Sequence, residues 1–110
     1  MIIQITESSP YTIATVNVTE ANLEWSEAFK QQMMQLIDSG HKKVIVSFEK
    51  VSYVDSSFLG ALVASLKHAI SQHADIMLTH LNKDVANLLQ LIRLDKVFTI
   101  YPTNAAAMQQ

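Results

Sequence analysis

The sequence predicts a single α/β domain: a mixed β-sheet with helices packed against it, in the order β-β-α-β-α-β-α-β-α. Short apolar segments rich in Ile, Val and Thr alternate with longer segments whose apolar residues recur at helical spacing. The chain also opens on two strand-like segments joined by a turn, which adds an antiparallel strand. Its 110 residues, 49% of them hydrophobic and 16% charged, suit one domain with one core.

The first half of the chain predicts a hairpin, a helix and a buried strand. Residues 2–7 and 11–17 are rich in Ile, Thr, Val and Tyr, and the Ser-Ser-Pro turn at residues 8–10 joins them as a β-hairpin. A helix follows, with five apolar residues at helical spacing: Trp25, Phe29, Met33, Leu36 and Ile37. Gly40 can end this helix in a left-handed conformation. The apolar run at residues 44–46 is typical of a strand buried on both faces.

The second half predicts three more helices and two more strands. Asp55 is placed to cap a helix, on which one apolar stripe contains Leu59, Leu62, Val63, Leu66 and Ile70. A strand at residues 75–80 precedes a third helix that opens at residue 82 or 83. The apolar face of that helix contains Val85, Leu88, Leu89 and Ile92. A last strand covers residues 97–101, and Thr103 caps a short Ala-rich terminal helix.

Composition narrows the classes of function. The formal net charge is −2, and the densest basic stretch is only His41-Lys42-Lys43, which argues against a nucleic-acid partner. The absence of cysteine excludes disulfides, thiolate metal sites and thiol catalysis. The N-terminus has no signal-peptide pattern, and the apolar run at residues 58–66 is too short to span a bilayer. We therefore expect a cytoplasmic protein without direct membrane insertion.

The polar residues most suited to a functional site lie within residues 51–60, between a strand and a helix. Here a strand ends, a turn exposes Asp55, Ser56 and Ser57, and a helix begins. The free N–H groups and the dipole of a helix N-terminus favour negative charge, so a phosphate here gains about 0.3–1 kcal/mol, and up to ~2 in favourable geometry. The same three residues also fit an ordinary helix cap, and both interpretations stay open on these residues alone.

The stretch Tyr53-Val54-Asp55-Ser56-Ser57-Phe58-Leu59-Gly60 resembles the signature of the STAS-domain family, and within it the bacterial anti-sigma factor antagonists. That signature is an apolar strand, Asp-Ser-Ser or Asp-Ser-Thr, then Gly-Leu-Gly and an apolar helix. The downstream order is also similar, so that the likeness covers residues 44–100 in detail and the whole chain in pattern. The resemblance implies one STAS domain over residues 1–110. It also implies that Ser56, directly after the Asp, accepts a phosphate, with Ser57 as the second choice.

The resemblance implies a function as well. It predicts a non-enzymatic anti-sigma factor antagonist that needs no cofactor or metal and regulates transcription by phosphorylation-dependent partner switching. Its partners would be an anti-sigma factor that is also a serine kinase, and a serine phosphatase that resets the switch. We expect the partner-binding residues at the helix start, on the helix side opposite the apolar stripe, and at the same end of the sheet: Asp55, Ser56, Ser57, Phe58, Ala61, Ser65, Thr19 and Asn22.

Two departures from the family pattern bear on this prediction. Phe58 stands where the family usually has Gly, so its ring is expected either to anchor a partner or to obstruct a kinase. Residues 17–23 match the family's segment before the first helix only weakly. A STAS domain that serves as a non-phosphorylated docking subunit of a transport or signalling complex is therefore the alternative function.

Two other classes of function are less consistent with the residues. A hydrolase built on Ser56 or Ser57 would need a base and an oxyanion hole, and the chain has no Gly-x-Ser-x-Gly elbow. A metal site is disfavoured because His68 and His73, five residues apart, lie on different sides of a helix. The four histidines are thus expected at the solvated surface.

Overall fold

The structure, a computed structural model, describes residues 1–109; Gln110, the last residue of the predicted domain, lies outside them. The strands are β1 (Ile3–Ser8), β2 (Tyr11–Val16), β3 (Glu20–Ala21), β4 (Lys43–Ser47), β5 (Tyr53–Val54), β6 (Asp75–Thr79) and β7 (Thr99–Tyr101). The helices are α1 (Leu23–Asp38), α2 (Ser56–Ser71), α3 (Lys83–Leu91) and α4 (Asn104–Ala107).

The main sheet has five strands in the order β1-β2-β4-β6-β7. β1 is antiparallel to β2, and the remaining neighbours are parallel. The predicted α/β class with a mixed sheet is therefore confirmed. Two features were not predicted: β3 and β5 form a second, two-stranded parallel sheet, and a single 3-10 turn over Leu94–Lys96 precedes β7. That turn occupies part of the connection to the last strand, which begins at Thr99 instead of residue 97.

Helices cover the two faces of the main sheet unequally. From β2 through β4 and β6 to β7, each parallel connection steps in the same direction, and right-handed crossovers place α1, α2 and α3 on one face. Val44 and Val46 belong to the large core on that face, whereas Ile45 belongs to a smaller cluster with Ala107 of α4 on the other. Burial on both faces explains why residues 44–46 of β4 form an uninterrupted apolar run.

Two apolar residues predicted to be buried on their helices lie near solvent. Ile70 of the predicted α2 stripe is 62% exposed, and Ala69 is buried in its place. The buried arc of α2 is displaced towards Ala69 because α1 packs along that side of the helix. Ile92 lies just beyond the last residue of α3 and is 44% exposed, since the helix ends before that position can turn inward.

Candidate functional site

The starts of α1 and α2 lie side by side because the two-stranded sheet joins the segments that precede them. Glu20 pairs with Tyr53 and Ala21 with Val54 in parallel register. The backbone N–H of Asp55 donates to the carbonyl of Ala21 at 3.0 Å, which extends this pairing to the first residue before α2. Each helix therefore begins within two residues of a strand whose position the other strand holds.

The carboxylate of Asp55 binds the first turns of both helices. Its Oδ1 accepts the N–H of Phe58 at 2.9 Å, and its Oδ2 accepts the N–H of Leu23 at 2.9 Å. The first bond confirms the predicted cap of α2. The second bond was not predicted; it joins residues 32 positions apart and sets the spacing between the two helix starts. Asn22 completes the cap of α1 by accepting the N–H of Glu24 at 3.1 Å.

Ser56 and Ser57 are the first two residues of α2, where backbone N–H groups lack acceptors within the helix. Ser56 is exposed, and Ser57 is half-buried on the side that faces α1. Of the two hydroxyls, that of Ser56 is the more accessible to a second protein. Its phosphorylation stays a prediction.

Phe58 is not a surface residue, which corrects its predicted role. The side chain is 0% exposed, and its ring packs against Phe29 of α1 with the centroids 4.6 Å apart and the planes inclined by 42°. The ring can therefore neither anchor a partner nor obstruct a kinase at the surface. Replacement of the family's Gly by Phe adds apolar contact between α1 and α2 close to Ser56.

Ala61 and Ser65 were also wrongly predicted to lie on an exposed side of α2. Ser65 is fully buried, and its hydroxyl donates to the carbonyl of Ala61 at 2.8 Å. Positions 58, 61, 65 and 68 share one stripe of the helix, and that stripe faces α1. The contact with α1 begins at Phe58, which packs against Phe29. It ends at His68, whose Nε2 lies 2.6 Å from Oδ1 of Asp38, the last residue of α1. Close packing against α1 leaves only a small part of Ala61 accessible.

Thr19 and Asn22 lie at the same edge as Asp55, as predicted. The carbonyl of Thr19 accepts the N–H of Ser52 at 2.8 Å, and the exposed Thr19 side chain borders β5. Asn22 is half-buried next to the first turn of α1. Both residues are thus placed within reach of any partner that contacts Ser56.

Two exposed apolar residues near Ser56 were missed. Leu23 is 72% exposed and Tyr53 is 55% exposed, and both are large side chains beside Asp55. The sequence does contain a sign of each. Leu23 is apolar but falls outside the stripe that Trp25 begins, and Tyr53 alternates with the buried Val54.

Shallow grooves lie on both sides of this edge. One, of about 320 Å³, runs between α1 and α2 and is bordered by Leu23, Ser57 and Gly60. Its α1 wall includes Glu27, whose pKa is lowered by hydrogen bonds from Gln31 and from Lys30 and by the charge of Lys30. The other groove, of about 210 Å³, lies between Tyr53 of β5 and α3.

Metal-binding and membrane-spanning features were sought over residues 1–109. In this part of the chain no three His, Asp or Glu side chains are grouped so that they could hold a metal ion. Its helices are all too short or too polar to cross a membrane. His68 pairs with Asp38, and His41 Nε2 lies 3.2 Å from Glu7 Oε1, so two of the four predicted surface histidines contact carboxylates.

Comparison with known proteins identifies the family. The family model described as "STAS domain" matches residues 19–107. A Thermotoga maritima protein named "Putative anti-sigma factor antagonist" is 30% identical over 92 residues, which are 83% of this chain and 81% of the relative. A crystal structure under the same name and from the same organism superposes with a TM-score of 0.90 at 28% identity, covering 97% of this chain and 92% of the other.

A more distant fold neighbour has been solved in a modified state. The Bacillus cell fate determinant SpoIIAA, in its phosphorylated form, has a TM-score of 0.73 at 16% identity and covers 97% of this chain and 96% of its own. At that identity the likeness concerns the fold alone. Together with the match over residues 19–107, these comparisons establish that the chain belongs to the STAS domain family.

Proposed function

We propose that this protein is an anti-sigma factor antagonist whose affinity for its partner is switched by phosphorylation of Ser56. In the unmodified form it binds an anti-sigma factor that is also an ATP-dependent serine kinase, and so releases a sigma factor for transcription. The kinase transfers the γ-phosphoryl group of ATP to the Ser56 oxygen, with release of ADP and loss of the hydroxyl proton. A serine phosphatase hydrolyses the phosphoserine and resets the switch.

The observation that carries this proposal is the placement of Ser56. Its hydroxyl is exposed at the first position of α2, directly after the residue that caps both helices. The helix N-terminus would stabilise the added phosphate by about 0.3–1 kcal/mol, so modification is compatible with the folded helix. A kinase can therefore reach the serine, and its product would not unfold the site.

Phosphorylation would disfavour docking through charge. A phosphoserine carries about −1.5 to −2 charges at pH 7, next to the carboxylate of Asp55 and on the same edge as the exposed Glu20 and Glu24. Two unit charges ~5 Å apart repel by roughly 3 kcal/mol at an effective dielectric of 20, and solvent reduces that value at an exposed site. Desolvation of the phosphate within an interface adds to the repulsion. Reversal of a 99:1 equilibrium takes about 5.5 kcal/mol, which repulsion and desolvation together can approach.

The surface around Ser56 also supports partner binding. Leu23 and Tyr53 are large, exposed side chains that flank a polar centre made of Asp55 and Ser56. Buried aromatic and aliphatic anchors commonly carry the binding energy of protein interfaces. We assign the partner contact to this edge, with Thr19, Asn22 and Ser57 at its border, and we leave out Phe58, Ala61 and Ser65 because they are buried.

The first test maps the modified residue. The protein is incubated with ATP and the candidate kinase, and its peptides are analysed by mass spectrometry. We expect one phosphate, on Ser56, which is absent in Ser56→Ala and retained in Ser57→Ala. Phosphate on Ser57 alone would overturn the assignment to Ser56. Stable binding of the kinase without any modification would instead favour the docking-subunit function.

The second test measures affinity. We expect Ser56→Asp to raise the Kd for the anti-sigma factor at least tenfold, because the new carboxylate adds charge beside Asp55, whereas Ser56→Ala should bind within about threefold of the native protein. Gln72→Glu is the matched control, since it adds the same charge to an exposed residue at the far end of α2. Equal affinities of Ser56→Asp and the native protein, by calorimetry, would refute the switch.

A further inference from the structure

A cavity on the main sheet lies far from Ser56. It has a volume of about 420 Å³ and opens at the amino-terminal ends of the parallel strands, where Tyr11, Lys43, Asp75 and Thr99 begin β2, β4, β6 and β7. Ser56 follows β5 at the opposite end of α2. The cavity is therefore separate from the site proposed for partner switching.

Strand register places the walls of this cavity on the face of the sheet opposite α1, α2 and α3. Ile45 and Met77 pack with Ala107 of α4 on that face. Lys43 and Asp75 are two residues before them, so they share the same face, and they are direct register partners. Because α4 has only four residues and contacts the other half of the face, this half stays open.

The cavity combines an apolar floor with a cationic rim. Met77 is buried at its base, and Tyr11 and Tyr101, which belong to the same apolar cluster, line it. Lys42 and Lys43 are exposed at the rim, and the Lys43 ammonium lies 5.4 Å from the centroid of the Tyr11 ring. Lys42 Nζ donates to the carbonyl of Gln72 at 2.6 Å, which holds it at the rim.

Local charge in the cavity differs in sign from that of the whole chain. Two ammonium groups, those of Lys42 and Lys43, face a single carboxylate, Asp75, although the net charge of the protein is −2. One oxygen of Asp75 is already engaged, because its Oδ1 accepts the N–H of Ile76 at 2.9 Å. The rim is therefore suited to an anion, while the floor and the tyrosines suit a flat apolar body.

We propose that this cavity binds a small aromatic acid. The planar ring lies on Met77 beside Tyr11 and Tyr101, and the acidic group meets Lys42 and Lys43 at the rim. The volume lies within the range of about 300–1,000 Å³ that is usual for small-molecule sites, and an inorganic anion alone would leave the apolar floor uncovered. The proposal does not depend on phosphorylation of Ser56.

The test titrates phenyl phosphate into the full-length, ¹⁵N-labelled protein and follows amide shifts by NMR. We expect saturable shifts confined to residues 42–43, 73–77 and 99–101. Benzyl alcohol and inorganic phosphate, at matched ionic strength, should each bind at least tenfold more weakly, because each lacks one half of the recognised structure. Equal binding of inorganic phosphate, or shifts scattered over the surface, would overturn the proposal.

Substitution of the rim lysines tests whether phenyl phosphate binds at this cavity. We expect the double variant Lys42→Gln, Lys43→Gln to raise the Kd for phenyl phosphate at least tenfold. Lys67→Gln removes the same kind of charge from an exposed position on α2 outside the cavity and should bind as the native protein does. All three side chains are exposed, so the variants should retain the native spectrum elsewhere. An unchanged Kd in the double variant would refute the site.

Discussion

Replacement of Phe58 by Ala is expected to lower the free energy of unfolding by about 3–5 kcal/mol, the range usual for removal of a buried phenyl ring. The ring is fully buried and packs against Phe29, so its loss leaves a cavity between α1 and α2. Domains of this kind are commonly stable by only about 5–15 kcal/mol. Urea unfolding followed by circular dichroism should show a much lower midpoint with little change in slope.

Phe58→Leu is the matched control, because it keeps an apolar side chain of intermediate volume and should have an effect well below that of Ala. Trp25, which is only partly buried on α1, supplies a second comparison: Trp25→Phe should change stability less than Phe58→Ala. A loss of less than about 1 kcal/mol in Phe58→Ala would contradict the packing described for this ring. It would also reopen a surface role for this residue.

Replacement of Asp55 by Ala is expected to destabilise the protein by about 2 kcal/mol. Two backbone N–H groups, those of Phe58 and Leu23, lose their acceptor. Loss of a helix cap usually costs about 1 kcal/mol, and water can partly replace the acceptor at the more exposed Leu23. Thermal unfolding should shift downward by roughly 8–16 °C on the usual scaling for a domain of this size.

Asp55→Asn separates the two bonds. The Asn side chain keeps one carbonyl oxygen, which can accept the N–H of Phe58. Its NH₂ group faces the N–H of Leu23, and an NH₂ group cannot accept a hydrogen bond. We therefore expect roughly half the loss seen with Ala. If Ala and Asn destabilised the protein equally, the two carboxylate oxygens would not contribute separately, and the proposed link between the helix starts would be wrong.

Asp55 and Phe58 show how one short motif can serve both folding and the switching proposed above. Asp55 and Phe58 are held by internal contacts, whereas Ser56 between them is exposed. A rigid frame on either side presents one hydroxyl in a defined position at low conformational entropy cost. That arrangement is what a protein kinase, or a partner that senses one added charge, would need from its target.

Prediction from sequence worked where the controlling interactions are local. The order of strands and helices follows from periodicity within each segment, and the class of fold follows from that order. The cap of α2 involves residues three positions apart, Asp55 and Phe58, so side-chain chemistry was enough to predict it. Thr103 was predicted to cap α4 on the same grounds, and its Oγ1 accepts the N–H of Ala106 at 3.1 Å.

Prediction failed where two distant segments pack together. Periodicity showed which residues of α2 are apolar, but small residues such as Ala61 and Ser65 are equally compatible with a solvent face and with close contact to a second helix. A two-residue strand such as β3 has too few residues to show a period, so its pairing with β5 was missed. The place of Leu23 in the site was also missed, because the residue that it contacts there, Asp55, is 32 positions away in the chain.

The sequence by itself thus determined the order of the four helices and the five strands of the main sheet, the family resemblance and the serine at the start of α2, because each depends on residues close together in the chain. Only the tertiary structure decided that Phe58 is buried, that Asp55 joins two helices, and that Lys42 and Lys43 border a cavity with Tyr101. The physical reason is that each of these features depends on side chains from segments far apart in the chain, which meet only when the strands pair and the helices pack on the sheet.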